Sequence, residues 1–147
     1  MANVVLDNVI RPLERLVLST YSARLKLYFQ RVYETRGAAF LGIRLLTDTE
    51  ESRFGFASTY TYQFEVKYYE QAGQETRASM ERITAAVETF KDLIATNRSL
   101  FESGTYRWHE AVIGECRYEP DLTEEEAANP GLVVVAMDLT VSVTVAI

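Results

Sequence analysis

The stretch GLVVVAMDLTVSVTVAI, residues 131–147, decides the fold. Val133, Val135, Met137, Leu139, Val141, Val143, Val145 and Ile147 fall on one parity, and Asp138, Thr140, Ser142 and Thr144 on the other. That two-residue period is a strand with one apolar face. At ~3.3 Å per residue it reaches on the order of 50 Å, well beyond a common strand of about 5–6 residues. Such a strand crosses a large sheet or extends past its own domain. With no sequence after it, earlier elements or another subunit must complete the sheet, and an assembly protein is the first expectation. Its even face is apolar at Leu132, Val134 and Ala136 and polar from Asp138. The first half is therefore expected to be buried on both sides and the second half to be wet or at a polar interface.

The elements before this strand follow from the same periodicities. Val5, Val9, Leu13, Leu16 and Val17 recur at helical spacing over roughly residues 4–20, with Asp7 and Asn8 as candidate caps and Pro12 near a start or a kink. Residues 24–35 alternate and read as a strand, Gly37 marks a turn, and residues 38–46 read as a second strand. The polar stretch Thr47 to Ser58 carries Asp48, Glu50, Glu51, Arg53, Phe54 and Phe56 and reads as a long hairpin tip. Residues 59–70 alternate with Tyr60, Tyr62, Phe64, Val66 and Tyr68 on one face. Thr76 or Ser79 then caps a helix running to about Asn97, whose apolar stripe is Met80, Ile83, Val87, Phe90 and Ile94. This stripe is expected to cover the odd face of the last strand. Residues 106–118 form a further strand, and an acidic, Pro-bounded loop leads into the closing one. The order predicts a single α+β domain over residues 1–147: a mostly antiparallel or mixed sheet of about five strands with two helices packed on it. Tyr28, Tyr60, Tyr62, Tyr68 and Tyr69 give the strands a high aromatic load, so the second sheet face should need cover too.

Composition narrows the function classes. The chain has 147 residues, 48% of them hydrophobic and 24% charged, as globular domains do. No stretch approaches the roughly 20 apolar residues of a membrane span, and Asp7 stands where a signal peptide would be basic, so a soluble, non-exported protein is expected. A single cysteine, Cys116, rules out an internal disulfide framework. A net charge of −6 argues against sequence-independent binding to the outside of nucleic acid, though not against a ring through which nucleic acid passes.

Chemistry is sparse. His109 is the only histidine, and no nucleophile motif surrounds Ser103 or Cys116. Seven positions apart in one strand, His109 and Cys116 should face opposite sides. Glu124, Glu125 and Glu126 could hold a hard cation, but three consecutive carboxylates before Ala127 and Ala128 read better as a solvated helix start. Phosphate-loop, dinucleotide and zinc-protease signatures are missing, so no cofactor, no metal site and no enzyme is expected.

The layout resembles the tail terminator (tail completion) family of long-tailed bacteriophages. The resemblance rests on the N-terminal helix Val4 to Thr20, the strand pair with a polar tip at Thr47 to Ser58, and YTYQFEVKYYEQ at Tyr60 to Gln71. The helix Arg77 to Asn97, the strand ending CRYEP, the acidic loop and LVVVAMDLTVSVTVAI complete it. It spans essentially the whole chain as a pattern of elements. The resemblance implies a virion protein of the tail neck, assembled in the host cytoplasm as a hexameric ring. That ring caps the tail tube, meets the tail tube protein and the head connector protein, and lets DNA through its lumen, with no membrane partner. The expected interface residues are Asp48, Glu50, Glu51, Arg53, Phe54 and Phe56 of the tip and Asp138, Thr140, Ser142 and Thr144 of the last strand. Two alternatives stand beside it: another ring-forming virion subunit, tail tube or head-to-tail connector, and a small-ligand-binding domain with a pocket lined by Tyr60, Tyr62 and Trp108.

Overall fold

The computed structural model describes residues 3–54, 57–73, 76–97, 101–102 and 106–146, with backbone only for 51–54, 101–102 and 146. An N-terminal helix contains a π-helical turn, Leu6–Ile10, followed by α1, Arg11–Thr20. Strands β1 (Leu27–Phe29), β2 (Ala39–Phe54) and β3 (Ala57–Gln71) lead to α2 (Arg77–Thr96). Then come a two-residue β4 (Phe101–Glu102), β5 (Tyr106–Arg117), the short α3 (Glu124–Ala127) and β6 (Leu132–Ala146). They form one sheet in the order β1-β2-β3-β6-β5-β4, antiparallel throughout except for the parallel β1–β2 pair. The expected α+β architecture with a mixed sheet and two packed helices is what forms.

The closing strand lies in the middle of the sheet, paired along its length with β3 and over most of it with β5. Its odd side chains Val135, Met137, Leu139, Val141 and Val143 are fully buried. They do not lie under α2 alone. The N-terminal helix packs over β6, whereas α2 sits over β5, and the two helices contact each other. Tyr21 fastens the pair by donating its hydroxyl to the carbonyl of Ala86 at 2.6 Å. On the even face Val134 and Ala136 are buried, and Asp138, Thr140, Ser142 and Thr144 are half-buried, as the alternation predicts.

Pro12 shapes the N-terminal helix. It has no N–H to give the carbonyl of Asn8 four residues back. The turn before it is π-helical, with the Arg11 N–H reaching Leu6, and the indole N–H of buried Trp108 donates to the Asn8 carbonyl at 2.8 Å. The helix ends where Ser22 and Ala23 both take positive φ, 54° and 64°. At the start of α2, Thr76 and Ser79 form a reciprocal capping box.

Two readings of the strands need correction. Residues 24–35 yield only the three-residue β1, because just Leu27 to Phe29 find a partner, at Leu41 to Ile43. The stretch Thr47 to Phe54 is no loop: it continues β2 and pairs with β3 as far as Phe54 opposite Ala57. Register shifts at Leu45/Thr47 and Glu50/Ser52 break its parity, which hides the strand from an alternation test.

The aromatic load divides between the faces. Tyr62 and Tyr68 enter the helix-side core, whereas Phe40, Tyr69 and Val134 form a second cluster on the other face with Tyr28 and Tyr33 against it. Phe40 and Tyr69 stack at 4.9 Å between centroids. That cluster covers the lower half of the second face; the upper half carries hydroxyls.

Candidate functional site

Strand register assigns each candidate residue to a face. Asp48 and Glu50 lie opposite Tyr62 and Tyr60, so they project on the helix side of the sheet, where both are exposed. Burial pushes the Tyr62 hydroxyl up to about 12, and nearby Tyr60, Asp48 and Glu50 add to the effect. Thr140, Ser142 and Thr144 lie on the opposite face. The two sets of candidate residues therefore do not form one surface. Glu51, Arg53 and Phe54 belong to β2 by backbone, but their side chains lie outside the described residues, as does Phe56 altogether.

The opposite face is an open field of hydroxyls. Thr59 bonds Thr144 at 2.9 Å, Thr61 bonds Ser142 at 2.9 Å, and Thr47 donates to Gln63 at 3.0 Å. His109, set out by a register shift in β5, contacts Thr144 on this face, whereas Cys116 faces the core beside Met137. Burial raises the Cys116 thiol above its ordinary value.

An ion-paired belt separates the hydroxyl field from the aromatic cluster below. Arg44 of β2 donates to Glu65 of β3 at 3.1 Å, and Arg117 of β5 reaches Glu65 at 3.4 Å and both oxygens of Asp138 of β6 at 3.0 and 3.1 Å. Asp138 is thus a structural ion-pair residue. Lys67 continues the belt to Glu126 of α3 at 3.0 and 3.1 Å, and Tyr69 donates to the same carboxylate at 2.7 Å. Glu126 is only 1% exposed, so the expected solvated acidic run is wet at Glu124 and Glu125 alone. Its burial alone would raise the carboxyl, but the Thr123 N–H, Tyr69 and Lys67 outweigh that and hold it below the ordinary range. The signal was the T-x-x-E spacing from Thr123 to Glu126, a capping box that turns the third glutamate back toward the chain.

Charge is unevenly distributed. Seven of the fifteen basic residues lie in the first 44 positions, against three acidic ones, although the whole chain is acidic. A groove of about 510 Å³ between α1 and β1 is lined by Arg11, Arg15, Leu18, Lys26 and Tyr28, with Glu14 its one acidic member. A second, of about 400 Å³, shares Lys26 and Tyr28 and adds Arg24 and Arg36. Sequence reasoning passed over this basic edge because its cations are spread over a helix, a turn and a strand.

Among the described residues no three His, Cys, Asp or Glu side chains are grouped to hold a metal ion, and no helix is long and apolar enough to cross a membrane. Of Tyr60, Tyr62 and Trp108, the last two are packed into the core at 4% and 0% exposure, and Tyr60 is half-buried.

No family model matches the sequence, and no curated protein matches it. Solved structures do. The chain is similar over its full length to the sheath/tube terminator of an extracellular contractile injection system in its extended state, with a TM-score of 0.55 and 13% identity. It covers 57% of that terminator, little more than half its length. It is also similar to a chain in the virion of a native gene transfer agent particle, with a TM-score of 0.52, 13% identity and 99% of each chain covered. At this identity the likeness is one of fold: a remote structural relationship to a terminator of an injection system and to a chain of a gene transfer agent particle.

Proposed function

We propose that the protein is a structural subunit of a tailed particle, a tail terminator whose copies close into a six-membered ring on the tube end and join it to the head connector. In this reading DNA passes through the lumen without specific binding, the protein resides in the tail neck, and assembly takes place in the host cytoplasm. The observation that carries the reading is a sheet whose hydroxyl-bearing half-face and β2 edge are left uncovered among the described residues. A closed ring needs two different surfaces on each subunit. The hydroxyl field of Thr140, Ser142 and Thr144, bordered by Asp138, supplies one. The β2–β3 ribbon supplies the other, with Asp48, Glu50, Glu51, Arg53, Phe54 and Phe56 as its contact residues. The full-length likeness to a sheath/tube terminator supports the same assignment.

A second reading, another ring-forming virion subunit such as a tube or connector protein, draws support from the gene transfer agent match, which covers both chains end to end. Native mass measurement with particle imaging separates the two. Discrete six-membered rings that stop tube growth are expected of a terminator, whereas open-ended stacks identify a tube subunit. Charge reversal of Asp48, Glu50 and Glu51 should leave the fold intact and impair joining; normal particles from that variant would remove the ribbon from the contact.

A further inference from the structure

The outer edge of β1 is open. Lys26 gives its carbonyl and Gln30 its N–H to β2, so by strand alternation the main-chain groups of Leu27 and Phe29 point away from the sheet. Among the described residues no strand lies beside them. An exposed edge is ordinarily blunted, often by lysine, and Lys26 is the exposed lysine here. A lysine repels a like-charged strand and admits an acidic one.

The two basic grooves meet at this edge. The larger runs between α1 and β1, the other lies on the face of Tyr28 and Phe40, and Lys26 and Tyr28 belong to both. Their walls differ in character. Leu27 and Phe29 share the helix-side parity, and there Leu18 and Phe29 are 42% and 46% exposed. Lys26 and Tyr28 have the other parity, and Arg24 and Arg36 line that groove with them. Arg36 lies over the Tyr28 ring at 5.1 Å and is paired with Glu34, whereas no ion pair of Arg24 or Lys26 is found among the described residues. On the helix side Arg11, paired with Asp7, and Arg15 add positive charge, and Glu14 is the only carboxylate lining either groove.

We propose that β1 is a docking edge for an extended acidic segment of a partner protein, which adds to the sheet as a further strand. Its alternate side chains are apolar, against Leu18 and Phe29, and acidic, against Arg24 and Lys26. Strand addition takes its affinity from main-chain hydrogen bonds and its specificity from alternate side chains, and this edge offers unpaired main chain between an apolar and a cationic wall. Duplex DNA would use the cations but neither the main chain nor Leu18. The contact uses none of the residues assigned to the ring and does not rest on the ring reading.

The test selects a random peptide library against the full wild-type chain. Enriched peptides should carry Asp or Glu at alternate positions with apolar residues between them. The tightest of them, fluorescently labelled, should bind wild type in an anisotropy titration and bind R24E/K26E and L18D each at least about tenfold more weakly. All three positions are exposed, so both variants should keep the wild-type circular dichroism. N-methylation of every second peptide amide should abolish binding in the register that faces Leu27 and Phe29 and be tolerated in the other. Failure to enrich acidic alternating peptides overturns the proposal, as does binding that is unchanged in both variants or that survives both methylation registers. A wild type that binds short duplex DNA in competition with the peptide, weakened by R24E/K26E but not by L18D, overturns it in favour of a polyanion site. A dimer by light scattering that both variants abolish overturns it in favour of a second copy of the chain.

Discussion

Trp108 donates its indole N–H to the carbonyl oxygen of Asn8 at 2.8 Å, tying strand β5 to the N-terminal helix across 100 residues of sequence. The acceptor is free for this role because Pro12 cannot donate to it. The bond is part-buried beside a fully buried ring, so its loss leaves a partly shielded carbonyl without its donor. Trp108→Phe should destabilise the protein by about 2–4 kcal/mol in urea unfolding. In a Pro12→Ala background the same change should cost less, because the alanine brings an N–H within reach of the Asn8 carbonyl. Equal costs in the two backgrounds would show that Pro12 and Trp108 are independent.

Acid should loosen the fold through Glu126 and Glu70. Burial alone would raise the Glu70 carboxyl, but the guanidinium of Arg82, at 2.6 Å, and the hydroxyl of Tyr68, at 2.7 Å, hold it below its ordinary value of 4.5. Glu126 is held down likewise. In the unfolded chain both return to their ordinary range, so there the protons bind first. The stabilisation is complete above about pH 4.5 and is lost as the pH falls through the lower folded values. Glu126→Gln should cost about 2–4 kcal/mol near neutral pH, because it leaves Lys67 with a buried neutral partner, and should flatten the acid limb of the stability curve. Urea midpoints taken across the acid range check both.

Gly131 opens the turn into β6 at φ +80°, and a Cβ there would come within 2.9 Å of the Cα of Gly73. Both the strained conformation and the backbone clash oppose a side chain. Gly37 also has positive φ, +100°, but has open space around it. Gly131→Ala should therefore lower stability by more than Gly37→Ala, about 3 kcal/mol against about 1 kcal/mol. Thermal midpoints of the two variants give the comparison.

The hydroxyl field should tolerate change in the free protein and not in the particle. Thr140 and Ser142 are only half-buried, so T140K/S142K should fold with stability altered by less than about 1 kcal/mol. If this face meets a neighbour or lines a channel, the same variant should fail to form rings or functional particles. Imaging of purified variant beside wild type decides the matter.

The elements most legible in the sequence are those with one wet and one dry face. β6, β3 and α2 each present an unbroken period, and the boundary at Asp138 between the dry and wet halves of β6 is visible in its even residues alone. Where both faces are wet, periodicity has nothing to report. In β2, Thr47 to Glu50 are exposed on both sides and the strand shifts register twice, so the stretch reads as a hairpin tip. β1 fails in the opposite sense: residues 24–35 alternate, but pairing depends on where a distant strand passes. The candidate surface was partly legible. The polar face of β6 could be read from its own sequence, whereas the ion belt joins residues from four strands and a helix, and the basic edge joins a helix to a strand. Neither leaves a local trace.

The belt of Arg44, Glu65, Arg117 and Asp138 runs across strands β2, β3, β6 and β5, perpendicular to their direction. It acts as a mechanical cross-tie. Sliding one strand by a single residue would turn its side chains to the wrong face, so the smallest compatible slip is two residues, ~6.6 Å, far beyond the reach of an ion pair. Such a slip would break the belt at the moving strand together with the ladder beside it. A sheet braced in this way resists shear along its strands as one plate.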